Sequence, residues 1–161
     1  MYRRIVLVAL VVPLLVAGAC ARPPKPTSAP VRLPPFDVSA LQQAFETEGL
    51  TVAPSDNATE DVFSGLAQSQ PLIVGGRPLQ VYWFPASRDA SVATSMVRKD
   101  GYALRVGSGF VPVEWDGMPH FFARDRLLVL YLSRPTTTTA TDSQILGVLN
   151  RQMGRQFAGT N

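Results

Sequence analysis

The sequence predicts a single α+β domain, a mainly antiparallel sheet with about three helices packed on it, and three observations carry that prediction. Helical and strand patterns follow one another in the order helix, strands, helix, strands, helix. Neighbouring strands are joined by tight turns at Gly75-Gly76 and around Arg124-Asp125-Arg126, which favours antiparallel pairing. Finally, Leu127 to Leu132 is apolar at every position, the pattern of a strand covered on both faces. Burying each such side chain contributes about 1.5–3 kcal/mol, so this strand is expected to anchor the fold.

Each element has its own signal. In "DVSALQQAFETEGL", Asp37 or Ser39 serves as cap, Ser39 and Gln42 have capping-box spacing, and Val38, Leu41 and Phe45 share one face. Gly49 stops that helix, and "LTVA" begins a short strand. "PSDNATEDVFSGLAQSQ" reads as a loop with a helical turn near Val62. "PLIVGGRPLQVYWFP" reads as a hairpin, with Leu79, Val81 and Trp83 towards the core and Gln80, Tyr82 and Phe84 on a partly polar face. Pro78 cannot donate to a ladder and marks an edge or a strand start. "SRDASVATSMVRK" predicts a second helix capped by Ser87, with Val92, Ala93, Met96 and Val97 inward and its end at Asp100-Gly101. "FVPVEWDG" alternates strictly, which predicts a strand with Val111, Val113 and Trp115 on the core side. The last helix, capped by Thr141 or Asp142, presents Ile145, Leu146, Val148, Leu149 and Met153.

The 161-residue chain opens with a targeting pattern. Met1 to Arg4 is basic, Ile5 to Val16 is apolar apart from Pro13, and Ala17-Gly18-Ala19 leads to Cys20, the only cysteine. That is the layout of a secretory signal over residues 1–19, too short for a comfortable membrane span. The small residues before Cys20 resemble a bacterial lipobox, in which the thiol is acylated, although Ala17 stands where Leu is usual. The alternative is an ordinary signal peptide cut after Ala19 or Ala21. Residues 20–36 then form an acyl anchor and tether, with six prolines between Ala21 and Phe36 favouring polyproline II. At about 3.1 Å per residue it would hold residues 37–161, an extracytoplasmic domain, roughly 40–50 Å from the membrane. The expected location is lipid-anchored, on the outer face of the cytoplasmic membrane or on the outer membrane.

Charge narrows the partners. The formal charge of +3 belongs to the ends: residues 37–161 carry ten Lys/Arg against twelve Asp/Glu, a formal −2. No basic patch remains to neutralise phosphates along a nucleic acid, so nucleic-acid binding is excluded as an expectation. The expected partners are the membrane, through the acylated N-terminus, and an envelope protein.

Few residues suggest chemistry. His120 is the only histidine, and in an extended strand it shares a face with Phe122. Without a second histidine, or a cysteine in the domain, it reads as a satisfied strand residue rather than a catalyst or a metal ligand. Glu114 and Asp116, two residues apart on a strand, would lie about 6.6 Å apart on one face, in the neighbourhood of paired glycosidase carboxylates. Alternation alone also explains them as the solvated side. "VGSGF" lacks the spacing of a nucleophile elbow or a phosphate loop and reads as a turn. Trp83, Trp115, Phe121 and Phe122, with His120, are the candidate wall of a ligand pocket. No metal or cofactor is expected.

Three motifs carry a resemblance: Pro119-His120-Phe121-Phe122, Arg126-Leu127-Leu128-Val129-Leu130-Tyr131 and Gly154-Arg155-Gln156-Phe157-Ala158-Gly159. With the "VGGRPLQVYWFP" hairpin they make the chain similar, over most of residues 38–159, to a family of small bacterial lipoproteins without an assigned activity. Phe122 stands where that family has Tyr, and Arg155 where it has Pro. The resemblance implies the compartment and the domain limits, and no mechanism. The functional expectation is therefore a lipid-anchored accessory or interaction module without catalysis. Its alternatives are a small-ligand-binding lipoprotein and a weak hydrolase using Glu114 and Asp116.

Overall fold

Helix α1 (Val38–Thr47) starts where Asp37 turns its carboxylate onto the backbone N–H of Ala40. Asp37 is thus the cap, not Ser39, because its extended backbone places the side chain over the first free donors. The helix buries Leu41 and Phe45. At its end Gly49 takes a left-handed φ of 80°, and the amide of Leu50 returns to the carbonyl of Phe45. The computed structural model describes residues 36–56, 62–134 and 139–160, and the predicted leader, Cys20 and the tether up to residue 35 lie outside them.

The remaining elements follow in order: β1 (Val52–Pro54), β2 (Gln68–Val74), β3 (Arg77–Trp83), α2 (Ser87–Met96), β4 (Ala103–Val106), β5 (Gly109–Pro112), β6 (Met118–Arg124), β7 (Leu127–Ser133), α3 (Ala140–Met153) and β8 (Ala158–Gly159). Six strands form one antiparallel sheet in the order β1-β2-β3-β7-β6-β8, and β4 and β5 pair separately. The fold is α+β, as the alternation of helices with turn-linked strands predicts. Gly75 and Gly76, at φ 56° and 77°, make the β2–β3 turn. Asp125 at φ 55° makes the β6–β7 turn.

β7 lies inside the sheet, and both of its faces are covered. One face, with Leu72, Leu79, Val81, Phe122, Leu127 and Val129, packs beneath α1 and α3. The other, with Tyr82, Phe84, Phe121, Leu128 and Leu130, packs beneath α2 and the turn that carries Phe63. Phe63, fully buried, stands edge-on to Tyr82 and Phe84, with ring centres 5.0 and 5.9 Å away. This second layer corrects the reading of β3: Gln80, Tyr82 and Phe84 are all buried, not on a partly polar face. Gln80 donates to the Ser69 hydroxyl within that layer. Among the described residues, the core residues lie between Leu41 and Ala158. These residues all belong to the compact unit Pro34–Asn161, which carries a hydrophobic core of its own.

Three further expectations give way. α2 has no side-chain cap, since Ser87 is already helical. Its buried positions are Ala90 and Ala93, while Val92 is 58% exposed. It ends at Met96 because Val97 turns extended and bridges Leu104. The alternating stretch "FVPVEWDG" does not form a core strand: β5 ends at Pro112, all four of its residues are exposed, and residues 113–117 are irregular. Only Val113 and Trp115 of that stretch turn inward, packing on the second layer. α3 is capped by Thr139, with Asp142 at its third position completing a capping box.

β8 is two residues long yet covers the edge of β6, pairing Gly159 with His120 and Ala158 with Phe121. Gly159 has φ 109°, and a Cβ there would lie 1.9 Å from the Pro119 carbonyl oxygen. Gly159→Ala combines left-handed strain with a backbone collision and is expected to cost about 2 kcal/mol or more in urea unfolding. An unchanged midpoint would show that β8 is not held against β6.

Candidate functional site

Among the described residues, three buried polar side chains, His120, Ser133 and Asp142, gather at one end of β6 and β7, while Gln80 is buried in the opposite layer. A two-residue turn at Asp125-Arg126 sets His120 opposite Tyr131, on the face beneath α3. The His120 and Tyr131 rings stack with centres 6.1 Å apart. Ser133, two residues beyond Tyr131, lies on the same face. Its hydroxyl is 2.8 Å from His120 Nε2, and His120 Nδ1 is 2.9 Å from Gln156 Oε1.

The direction of these bonds can be assigned. Gln156 Nε2 donates to the Thr160 carbonyl at 3.0 Å, so its Oε1 faces the imidazole and can only accept. Nδ1 therefore carries the proton, and Nε2 accepts from Ser133. Burial holds His120 below the ordinary histidine pKa, against the opposing influence of the Gln156 bond. The ring is neutral at neutral pH.

A second group lies along the same strand. Tyr131 donates to Asp142 Oδ1, and Arg77 Nε approaches the same oxygen at 3.3 Å. Asp142 Oδ2 accepts from the Thr139 amide and hydroxyl, both at 2.8 Å. Burial works against ionising Asp142, but the Tyr131 and Thr139 bonds and the Arg77 charge outweigh it and keep its pKa below the carboxylate norm. Burial first, and then the neighbouring carboxylate, push the Tyr131 phenol well above its usual range. Asp142 thus completes the Thr139 capping box of α3 and ties the helix to β7 and β3.

Ser133 and His120 have the separation of a nucleophile and its base. Their exposures of 2% and 5% put them out of reach of substrate, and both ring nitrogens are already bonded. The arrangement acts as structural wiring.

The five residues read as one pocket wall are not brought together. Trp83, His120 and Phe122 belong to the face beneath α1 and α3, whereas Phe121 and Trp115 lie on the opposite face. Trp115 donates from Nε1 to the Gly101 carbonyl at 2.8 Å and stands edge-on to Phe121. Phe121 and Phe122 are fully buried, because successive strand residues point to opposite sides of a sheet covered on both. Glu114 and Asp116 are exposed in the irregular segment, without the strand geometry that would pair them. Among the described residues, no three His, Cys, Asp or Glu side chains converge as a metal site would need.

Three surfaces remain open. Trp83, covered by the Arg126 guanidinium at 4.7 Å, lines a cleft of about 570 Å³ together with Asp37, Val38, Gln68 and Gln70. A recess of about 420 Å³ lies beside β8, lined by Lys99, Arg155 and Gln156. The β4–β5 hairpin presents Val106, Phe110 and Val111 at 64, 43 and 50% exposure. Sequence reasoning missed the Ser133, Gln156 and Asp142 connections. The two-residue turn, read strictly, already pairs His120 with Tyr131, and Thr139-x-x-Asp142 is a capping-box spacing. Gln156, 36 residues from His120, leaves no local signal.

The class defined by this geometry is a sheet covered on both faces, with a buried polar tie and an apolar hairpin in solvent. No protein-family model matches the chain, and no curated protein or solved structure matches it.

The network predicts two stability effects. The unfolded chain takes up a proton on His120 near pH 6.5, whereas the folded ring resists it. The unfolded state therefore binds more protons below about pH 6.5, and stability falls as pH drops through that window. Urea unfolding between pH 7.5 and 5 is expected to show this slope and to lose it in His120→Gln. Asp142→Asn leaves Arg77 without its anion. The expected loss is about 2–4 kcal/mol, below the figure for a fully buried pair because Arg77 reaches solvent. A loss under about 1 kcal/mol would show that α3 docks by apolar packing alone.

Proposed function

We propose that the protein is a lipid-anchored, non-catalytic interaction module of the cell envelope that holds a protein partner through its β4–β5 hairpin. The observation that carries this reading is the hairpin itself. Val106, Phe110 and Val111 stand in solvent where their burial would stabilise a complex, at about 25 cal/mol per Å² of apolar surface covered. Arg105 lies over the Phe110 ring at 5.2 Å, a cation beside an apolar patch. Among the described strands, β5 pairs only with β4, so its outer edge is open to strand addition. The lipobox-like leader and the proline tether would deliver this surface to a partner near the membrane.

The test is photo-crosslinking in cells from an amino acid placed at Phe110, compared with the same probe at exposed Ser143 on α3. One recurrent protein captured from position 110 and not from 143 is the expected result. Equal capture from both positions would remove the hairpin from the interface. A Cys20→Ala chain should lose the capture if the lipid anchor delivers it.

A second reading rests on the cleft beside Trp83, where an indole face and a guanidinium border a volume suited to a small ligand. A ligand present at about 100 times its Kd would add roughly 2.7 kcal/mol of stability. The expected result is a rise of several degrees in Tm that Trp83→Leu abolishes.

A further inference from the structure

We propose that the recess beside β8 is a binding site for a phosphoryl group, held by Lys99, Arg155 and the side-chain amide of Gln156. The inference does not rest on the hairpin reading, because none of its residues belongs to β4 or β5.

The first support is the distribution of charge. Arg77, Arg88, Arg98, Arg124 and Arg151 each pair with an Asp or Glu, while Arg105 and Arg126 lie over aromatic rings. Among the described residues Lys99, Arg134 and Arg155 are left with neither a carboxylate nor a ring partner, and two of these three line the same recess. The carboxylate next in sequence to Lys99 is already engaged: Asp100 lies 2.6 Å from Arg98 Nη2 and accepts twice from Arg98 Nε at 2.9 Å. The recess thus concentrates two positive charges in a domain whose formal charge is negative.

The second support is a rigid floor. The Lys99 carbonyl accepts from the Gly159 amide at 2.9 Å, which fastens the start of the β4 segment to β8. Phe157 and Thr160 donate to the carbonyls of Phe121 and Pro119, both at 3.0 Å. Gln156 is held from two sides, its oxygen by His120 and one amide hydrogen by Thr160. The second hydrogen on Nε2 has no partner among the described residues and is available to a ligand. Arg155 follows Gly154, whose φ of 87° ends α3 and turns the chain across the recess.

These donors suit one chemistry. A guanidinium offers a planar fork to two oxygens, an ammonium adds a compact charge, and an amide N–H supplies a directed bond. Together they match a tetrahedral phosphoryl group of charge about −1.5 to −2. At the cell envelope that group could be carried by an anionic lipid headgroup or by a soluble phosphate compound, and the two sources are separable.

The experiment uses the unit Pro34–Asn161, labelled with ¹⁵N. Inorganic phosphate should shift the Gln156 side-chain amide saturably, together with the imidazole of the sole histidine. In Lys99→Gln/Arg155→Gln, with an unchanged circular dichroism spectrum, affinity should fall about three- to fivefold for each cation removed. Vesicles of phosphatidylglycerol and of phosphatidylcholine then identify the source. Sedimentation with the anionic vesicles alone, competed by phosphate and lost in the double variant, assigns a lipid headgroup. Saturable phosphate shifts without vesicle binding assign a soluble phosphate compound. A Gln156 amide that does not shift saturably, or shifts equally in the double variant, overturns the proposal.

Discussion

β7 has no outward face. Leu127 and Val129 pack beneath α1 and α3, while Leu128 and Leu130 pack beneath α2 and Phe63, so one strand compels layers on both sides of the sheet. Five other strands flank or extend it in the sheet, and the helices are distributed to close both faces rather than gathered on one. A sheet this apolar with a single helical layer would leave Tyr82, Phe84, Phe121 and their neighbours in water. The hydrophobic cost of that exposure exceeds the few kcal/mol by which a domain is normally stable.

The same strand also carries the polar groups that need partners in that interior. Tyr131 and Ser133 bring hydroxyls to the end of a buried face, and burial without a partner would cost roughly 1–3 kcal/mol each. Each is satisfied by a residue from another element: Asp142 from the first turn of α3, and His120 from β6. Asp142 already completes the capping box of its helix with Thr139, so helix start and helix docking share one carboxylate. Gln156 completes the chain of contacts and brings it to the surface. The neutral imidazole therefore connects a buried hydroxyl with the floor of a solvent-facing recess.

The parts of the fold readable from sequence are those that local chemistry decides. The Gly75-Gly76 turn, the Gly49 stop and the apolar run of β7 each follow from a few adjacent residues, and the structure has them where expected. Where tertiary packing decides, pattern misleads. Residues 110–117 alternate cleanly, yet the chain uses their start in the exposed hairpin strand β5 and only Val113 and Trp115 as inward anchors. Gln80 occupies a polar position in the pattern, but Phe63, arriving from a loop, roofs that face. The aromatic residues read as one wall fail for a simple geometric reason: Phe121 and Phe122 are neighbours in a strand and must point to opposite layers. The polar tie was half legible, since turn length dictates the His120–Tyr131 pairing, while Gln156 enters only through the return of the chain after α3.

The entry of the chain has a mechanical consequence. The Phe36 amide donates to Asp125 at 3.3 Å, and its ring lies 4.4 Å beneath the Arg124 guanidinium, which also reaches the Gln152 carbonyl at the end of α3. Tension applied through the preceding residues would be delivered first to the turn of the central hairpin, with the far end of α3 braced against it. The short outer strand β1 would be spared the peeling load that unzips a ladder one bond at a time. A domain loaded at this point is suited to resisting a sustained pull on the chain that precedes Phe36.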